Sequence, residues 1–174
     1  MPAPIGLFFG STTGNTAEVA ERIAALIGPG QVDLFDVADN GLAGIDDYRL
    51  LIFGIPTWDF GEQQEDWLDI WHELDSLELP GVRFALFGLG DQIGYAEWYL
   101  DAMGMLHDRL RDAGAEPVGY WPREGYDFEA SKALTADGSR FVGLALDEDS
   151  QRAETDARIE AWVPQVLEAF GLSG

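Results

Sequence analysis

Short runs of consecutive apolar residues alternate along the chain with stretches in which apolar positions recur every three or four residues. Residues 5–9 (IGLFF), 32–35, 50–53 (LLIF), 84–87 (FALF) and 141–146 (FVGLAL) are apolar without alternation, which predicts five short strands buried on both faces. Val19, Ile23, Ala24 and Ile27 form a helical stripe that Gly28 and Pro29 end. Ile159, Trp162, Val163, Val166, Leu167 and Phe170 form a second stripe, interrupted by Pro164, whose ring must kink that helix or cost it a hydrogen bond. Two more helices are predicted over 65–74 and 98–113, and residues 121–140 form the one long irregular stretch. Strand and helix in alternation with short links predict an α/β fold, a doubly wound parallel sheet with helices on both faces. Such sheets bind ligands beyond the carboxyl ends of their strands, so function is expected in the loops that follow them.

Composition narrows the chemistry. A chain of 174 residues, 47% of them hydrophobic, can bury one core and is short for two, so a single domain over residues 1–174 is expected. With 32 Asp and Glu against 10 Lys and Arg, the formal net charge is −22, which argues against nucleic acid or an anionic membrane and favours cationic partners. There is no cysteine, which excludes disulfides, thiolate metal sites and a cysteine nucleophile, so redox chemistry would need an organic cofactor. The start MPAPIGLFFGS has no basic segment followed by an apolar core, and no apolar run approaches membrane-spanning length, so a cytoplasmic protein is expected.

The loop after the first strand, GSTTGNT, leads straight into a helix. Free N–H groups and the positive end of a helix dipole favour an anion there; Ser11, Thr12, Thr13 and Thr16 offer hydroxyl donors, Asn15 an amide, and Gly10 and Gly14 close approach. A nucleotide-triphosphate loop needs one more residue between its glycines and a lysine after them, so a single terminal phosphate fits better; an ordinary helix cap in a tight turn is the competing reading. The loop after the third strand, IPTWDFGE, carries Pro56 and Trp58, and the loop after the fourth, GLGDQIGYAEWYL, carries Tyr95. Two aromatic rings on adjacent loops beside a phosphate cradle suit a flat aromatic ligand held between them, whereas each ring taken alone could simply cap the core. The Gly88, Gly90 and Gly94 spacing is not a dinucleotide fingerprint and reads as a flexible wall. Asp147 to Arg152 lacks the glycine of a calcium loop, and His72 and His107 lie in unrelated helices, so no metal site is expected and neither histidine is read as catalytic.

The segments GLFFGSTTGNTAEVA, GIPTWDFGE, ALFGLGDQIGY and FVGLALDEDSQ resemble the signature segments of the flavodoxins, and the resemblance runs nearly end to end. Residues 121–140 resemble the insertion that splits the fifth strand in long-chain members, and YAEWYLDAMGMLHDRL with GYWPREGY is most similar to the enterobacterial flavodoxin B type. The resemblance implies a five-stranded sheet in the order 2-1-3-4-5 and non-covalently bound FMN. It implies that Ser11, Thr12, Thr13, Gly14, Asn15 and Thr16 hold the FMN phosphate, and that Trp58 and Tyr95 stack on the isoalloxazine. By the same resemblance, Thr57, Trp58, Asp59, Phe60, Gly61, Leu89, Gly90 and Asp91 supply neighbouring contacts, and Asp149 lies near the ribityl chain, with Asp147 close to it in the motif. The peptide between Asp59 and Phe60 would accept a hydrogen bond from a protonated flavin. Many relatives carry Asn-Ile where this chain has Asp59-Phe60, so redox tuning does not transfer.

The function so implied is a low-potential one-electron carrier, not an enzyme, working through a neutral semiquinone. Its partners would be a flavodoxin reductase and redox acceptor proteins docking transiently on the acidic face of a monomer. The alternative is an FMN-dependent NAD(P)H quinone reductase, which would need a site for a second, anionic dinucleotide; no basic site is visible. A signalling receiver is set aside, because Ile55-Pro56-Thr57 holds no acceptor aspartate and the lone Lys132 is misplaced.

Overall fold

The computed structural model describes residues 3–58 and 60–172. In chain order the elements are β1 (Ile5–Phe9), α1 (Asn15–Ile27), β2 (Val32–Asp36), α2 (Val37–Asn40), β3 (Leu50–Trp58), β4 (Glu62–Gln63), α3 (Glu65–Asp69) and β5 (Arg83–Leu89). They continue with α4 (Asp101–Asp112), β6 (Glu116–Pro117), β7 (Trp121–Pro122), β8 (Arg140–Phe141), β9 (Leu144–Leu146) and α5 (Thr155–Phe170). The main sheet runs β2-β1-β3-β5, all parallel, and both β6 and β9 lie parallel to β5 on its far side. The fifth position of the 2-1-3-4-5 order is therefore filled by two pieces of chain, and everything between them is insertion.

Each central strand is buried on both faces, and the pleat sends alternate residues to different layers. Phe8, Leu51, Phe53, Ile55, Phe84 and Leu86 join one core with Trp67 of α3 and Met103, Leu106 and Leu110 of α4. Ile5, Leu7, Ile52, Ala85 and Phe87 join the other with Val19 and Ile23 of α1 and Ile159, Trp162, Val163 and Val166 of α5. Both predicted helical stripes thus face the same side of the sheet. Pro164 lies inside α5 at an exposed position, so the carbonyl that loses its partner there has water available. Gly54 is required by packing: a Cβ there would stand 2.2 Å from the ring of Phe87.

Three predicted elements differ from the observed ones. The run 141–146 is not one strand: Phe141 pairs antiparallel with Trp121, only Leu144–Leu146 joins β5, and at Gly143 between them the chain passes so close that a Cβ would lie 2.4 Å from the Leu86 carbonyl oxygen. The helix predicted over 98–113 starts at Asp101, since Leu100 takes a left-handed conformation (φ 59) at its N-cap. The helix predicted over 65–74 is one turn, α3, followed by 3-10 turns over Trp71–Ser76. Residues 121–140 are also less irregular than expected, since β7 and β8 pair as a short ribbon.

Candidate functional site

A cleft of about 290 Å³ opens at the carboxyl ends of β1, β3, β5 and β9. It is lined by Thr12, Thr13, Asn15, Thr16, Pro56, Thr57, Trp58, Leu89, Gly90, Asp91, Tyr95 and Asp149 from the predicted set, and by Glu148, which was not predicted. Of the other predicted residues, Ser11, Gly14, Phe60 and Gly61 are not part of the lining though close to it in sequence, and Asp59 with its peptide to Phe60 lies outside the described residues.

At one end of the cleft α1 begins without a side-chain cap. Gly14 turns the chain through a left-handed conformation (φ 91), and the first helical bond is Glu18 N–H to the Gly14 carbonyl at 3.0 Å, so the N–H groups before it have no acceptor within the helix. Ser11 Oγ accepts from Gly14 N–H at 3.1 Å, which leaves its own hydrogen free to point elsewhere. Thr12 Oγ1 accepts from Gln64 Nε2 at 2.9 Å, with the same consequence. Among the described residues, the charged side chains lining the cleft are all acidic (Asp91, Glu148 and Asp149), so an anion bound at this end would be held by neutral donors and the helix dipole.

At the other end stand Trp58 and Tyr95, 36% and 40% exposed. Trp58 ends β3 and pairs with Glu62 of β4, a short hairpin absent from the sequence reading. The Thr57 hydroxyl accepts from Ala102 N–H at 3.1 Å, tying this strand end to the start of α4. Phe60, 65% exposed, packs edge-on against Trp98 and Tyr95 and so buttresses the Tyr95 ring from outside the cleft. Gly61 (φ 87) allows that turn to pass Asp101, whose Oδ2 would lie 2.8 Å from a Cβ.

The wall carrying Gly88, Gly90 and Gly94 is tied down, contrary to the flexible wall expected. Gly90 N–H donates to the Leu146 carbonyl at 3.1 Å, and Asp91 Oδ1 accepts from Ile93 and Gly94 N–H at 3.1 and 2.7 Å. Gly90 is needed for contact, because a Cβ there would press on Leu100 and Tyr99 at 3.2 Å. Asp147 is fully buried and accepts from Gln92 N–H, Gln92 Nε2, Asp149 N–H, Ser150 N–H and the Ser150 hydroxyl. It joins two walls of the cleft, whereas Asp149 faces the opening. Burial, and then the charges of Asp91 and Asp147, hold the Asp149 carboxyl above its ordinary value. Glu148 is countered instead, by Arg152 Nε at 3.1 Å and the Thr155 hydroxyl at 2.7 Å. The insertion reinforces the Tyr95 loop through backbone donors: Asp127 N–H to Gln92 Oε1, Glu129 and Ala130 N–H to the Ala96 carbonyl, and Lys132 N–H to Asp101 Oδ1.

The arrangement suits one kind of ligand, with a terminal anion, a polar middle and a flat apolar end. Comparison with known proteins gives the same picture. The profile of the family described as flavodoxin matches residues 7–162. Flavodoxin 2 of Escherichia coli (strain K12) is 53% identical over 163 residues, which cover 94% of each chain. The flavodoxin of Nostoc sp. (strain PCC 7120 / SAG 25.82 / UTEX 2576) is 48% identical over 172 residues, covering 99% of this chain and 100% of the relative. The crystal structure of Fusobacterium nucleatum flavodoxin bound to flavin mononucleotide superposes with a TM-score of 0.90 at 28% identity, over 95% of this chain and 98% of the other. Among the described residues no helix is long and apolar enough to cross a membrane, and no group of acidic or histidine side chains could hold a metal ion.

Proposed function

The chain belongs to the flavodoxin family, and we propose that it carries electrons on FMN bound non-covalently in this cleft, as a single FMN-binding domain over residues 1–174. The observation that carries the reading is the pairing, in one cleft, of an uncapped helix start ringed by hydroxyls with two half-exposed aromatic rings. Ser11, Thr12, Thr13, Gly14, Asn15 and Thr16 would receive the phosphate through neutral donors. Trp58 and Tyr95 would flank the isoalloxazine and keep water from its faces, with Pro56, Thr57, Leu89, Gly90 and Asp91 along its edge and Phe60 and Gly61 supporting that wall. Asp149 would meet the ribityl hydroxyls, which can donate to its carboxylate. Bound there, FMN would supply one-electron chemistry, by way of a neutral semiquinone on this reading.

Electrons would arrive from a flavodoxin reductase and leave to acceptor proteins that dock transiently on a monomer in the cytoplasm. A net charge of −22 steers encounter with basic partner surfaces, and the exposed rings of Trp58, Phe60 and Tyr95 leave an apolar contact around the cofactor. Among the described residues the cleft lining offers no basic side chain for a second, dinucleotide ligand beyond the phosphate loop, which weighs against a quinone reductase. Titrating flavin-free protein with FMN tests the reading: flavin fluorescence should be quenched at one equivalent by the flanking rings. Flavin that stays fluorescent and washes away on gel filtration would end the proposal.

A further inference from the structure

Gln64 lies outside the cleft lining, yet its side chain joins the phosphate loop to α3. It is fully buried and polar, and every atom of its amide is used. Oε1 accepts from Trp67 N–H at 3.3 Å, capping α3; Nε2 donates to Asp66 Oδ2 at 2.8 Å and to Thr12 Oγ1 at 2.9 Å. Chemistry permits only this orientation of the amide, because the Trp67 N–H needs an acceptor and the Asp66 carboxylate needs a donor. The loop is shaped around it: a Cβ on Gly10 would stand 2.3 Å from Gln64 Oε1 and 2.8 Å from Cδ1 of the Trp67 ring. A shared acceptor closes the arrangement, since the Gly54 carbonyl receives both Gly10 N–H at 3.3 Å and Trp67 Nε1 at 2.9 Å.

A threonine hydroxyl has one hydrogen. With Gln64 Nε2 donating into Thr12 Oγ1, that hydrogen must point away from Gln64, and Thr12 lines the cleft. We infer that Gln64 is a positioning residue for the phosphate cradle, committing the Thr12 hydroxyl to donate toward the anion and so setting the preference for a phosphorylated flavin over an unphosphorylated one. This rests on the FMN reading of the cleft and adds to it a residue that touches no part of the ligand. Gln64→Glu tests it, because a carboxylate keeps an acceptor for Trp67 N–H but, having no hydrogen to donate, accepts the Thr12 hydroxyl hydrogen and draws it away from the cleft.

The measurement is the ratio of FMN to riboflavin dissociation constants, taken by fluorescence titration of flavin-free protein for the parent, Gln64→Glu, Thr12→Ala and the double variant. Loss of a hydrogen bond to a charged group should weaken FMN binding by about tenfold or more in Gln64→Glu, with riboflavin changed by less than about twofold. In the Thr12→Ala background the further loss from Gln64→Glu should fall to about threefold or less, because the two residues act through one bond. Gln64→Met, similar in size and uncharged, repeats the comparison if the carboxylate variant does not fold, and should lower the FMN preference in the same direction. A preference that survives both substitutions, or an undiminished loss in the Thr12→Ala background, overturns the inference alone. Equal affinity of the parent for FMN and riboflavin would remove the cradle and the inference with it.

Discussion

Replacing Asp149 by asparagine removes a charge from the cleft while keeping shape and hydrogen-bonding capacity. If FMN occupies the cleft, its first one-electron step takes up a proton as well and leaves the net charge unchanged, whereas the second leaves a negative charge. Taken as a sphere, a cleft of about 290 Å³ is roughly 8 Å across, and Coulomb's law over that distance gives about 0.5 kcal/mol at the dielectric constant of water and about 2 kcal/mol at an effective value near 20. With 1.36 kcal/mol equivalent to about 59 mV for one electron, Asp149→Asn should raise the second potential by roughly 20 to 90 mV and move the first by much less. Because burial and the nearby Asp91 and Asp147 hold the Asp149 carboxyl above its ordinary value, the difference between parent and variant should shrink as pH falls through that raised value and the parent loses the same charge. Spectroelectrochemical titration of both proteins at several pH values reads both couples. Equal shifts of the two couples, or a second couple that does not move, would refute the electrostatic account of the cleft.

Thr12→Ala combined with Thr16→Ala should weaken FMN binding by at least about 1.5 to 3 kcal/mol while leaving riboflavin binding nearly unchanged, as competition titrations would show. Reduction by a flavodoxin reductase should slow as ionic strength rises and the Debye length falls to about 8 Å, and a flat profile in stopped-flow measurements would move docking onto the apolar contact of Trp58 and Phe60. Asp101 is 2% exposed, and burial raises its pKa against the opposing effect of its bond from Lys132 N–H. Its ionisation therefore costs folding stability above the raised pKa, and protonation as pH falls restores that stability. Asp101→Asn keeps the acceptor and should unfold at higher denaturant than the parent at neutral pH, with the gap closing in acid; a gap that widens in acid would contradict this sign.

The central strands and the two long helices are legible in the sequence because their cores are local patterns: IGLFF and FALF are apolar on both faces, and the stripes of α1 and α5 repeat at helical spacing. The hydroxyl-rich loop was legible for the same reason, since Ser11, Thr12, Thr13 and Thr16 stand together in it. What depends on distant pairing was not. The run 141–146 divides between two pairings, with Trp121 and with β5, that meet at Gly143 against Leu86, and β4 and β6 are two-residue edges whose pairing follows from neighbouring strands. Resemblance alone favours Asp149 over Asp147 in LDEDSQ; the physical difference is that one carboxylate turns inward to five donors and the other lines the cleft. Gln64 and Glu148 gave no signal at all, because their partners Thr12 and Thr155 lie 52 and 7 residues away. Part of the competing reading of GSTTGNT, a helix cap in a tight turn, is present: Ser11 Oγ accepts from Gly14 N–H across the turn, while the N-cap is Gly14 itself, which has no side chain to cap the first helical N–H groups.

The most direct test of the central claim is a stepwise reductive titration of the FMN-loaded protein followed by absorption. A one-electron carrier with an acidic cleft should accumulate the blue neutral semiquinone to a substantial fraction before full reduction, which requires the second couple to lie well below the first. Passage straight from the oxidised to the fully reduced spectrum, with no long-wavelength band at any point, would contradict the one-electron function and favour two-electron chemistry.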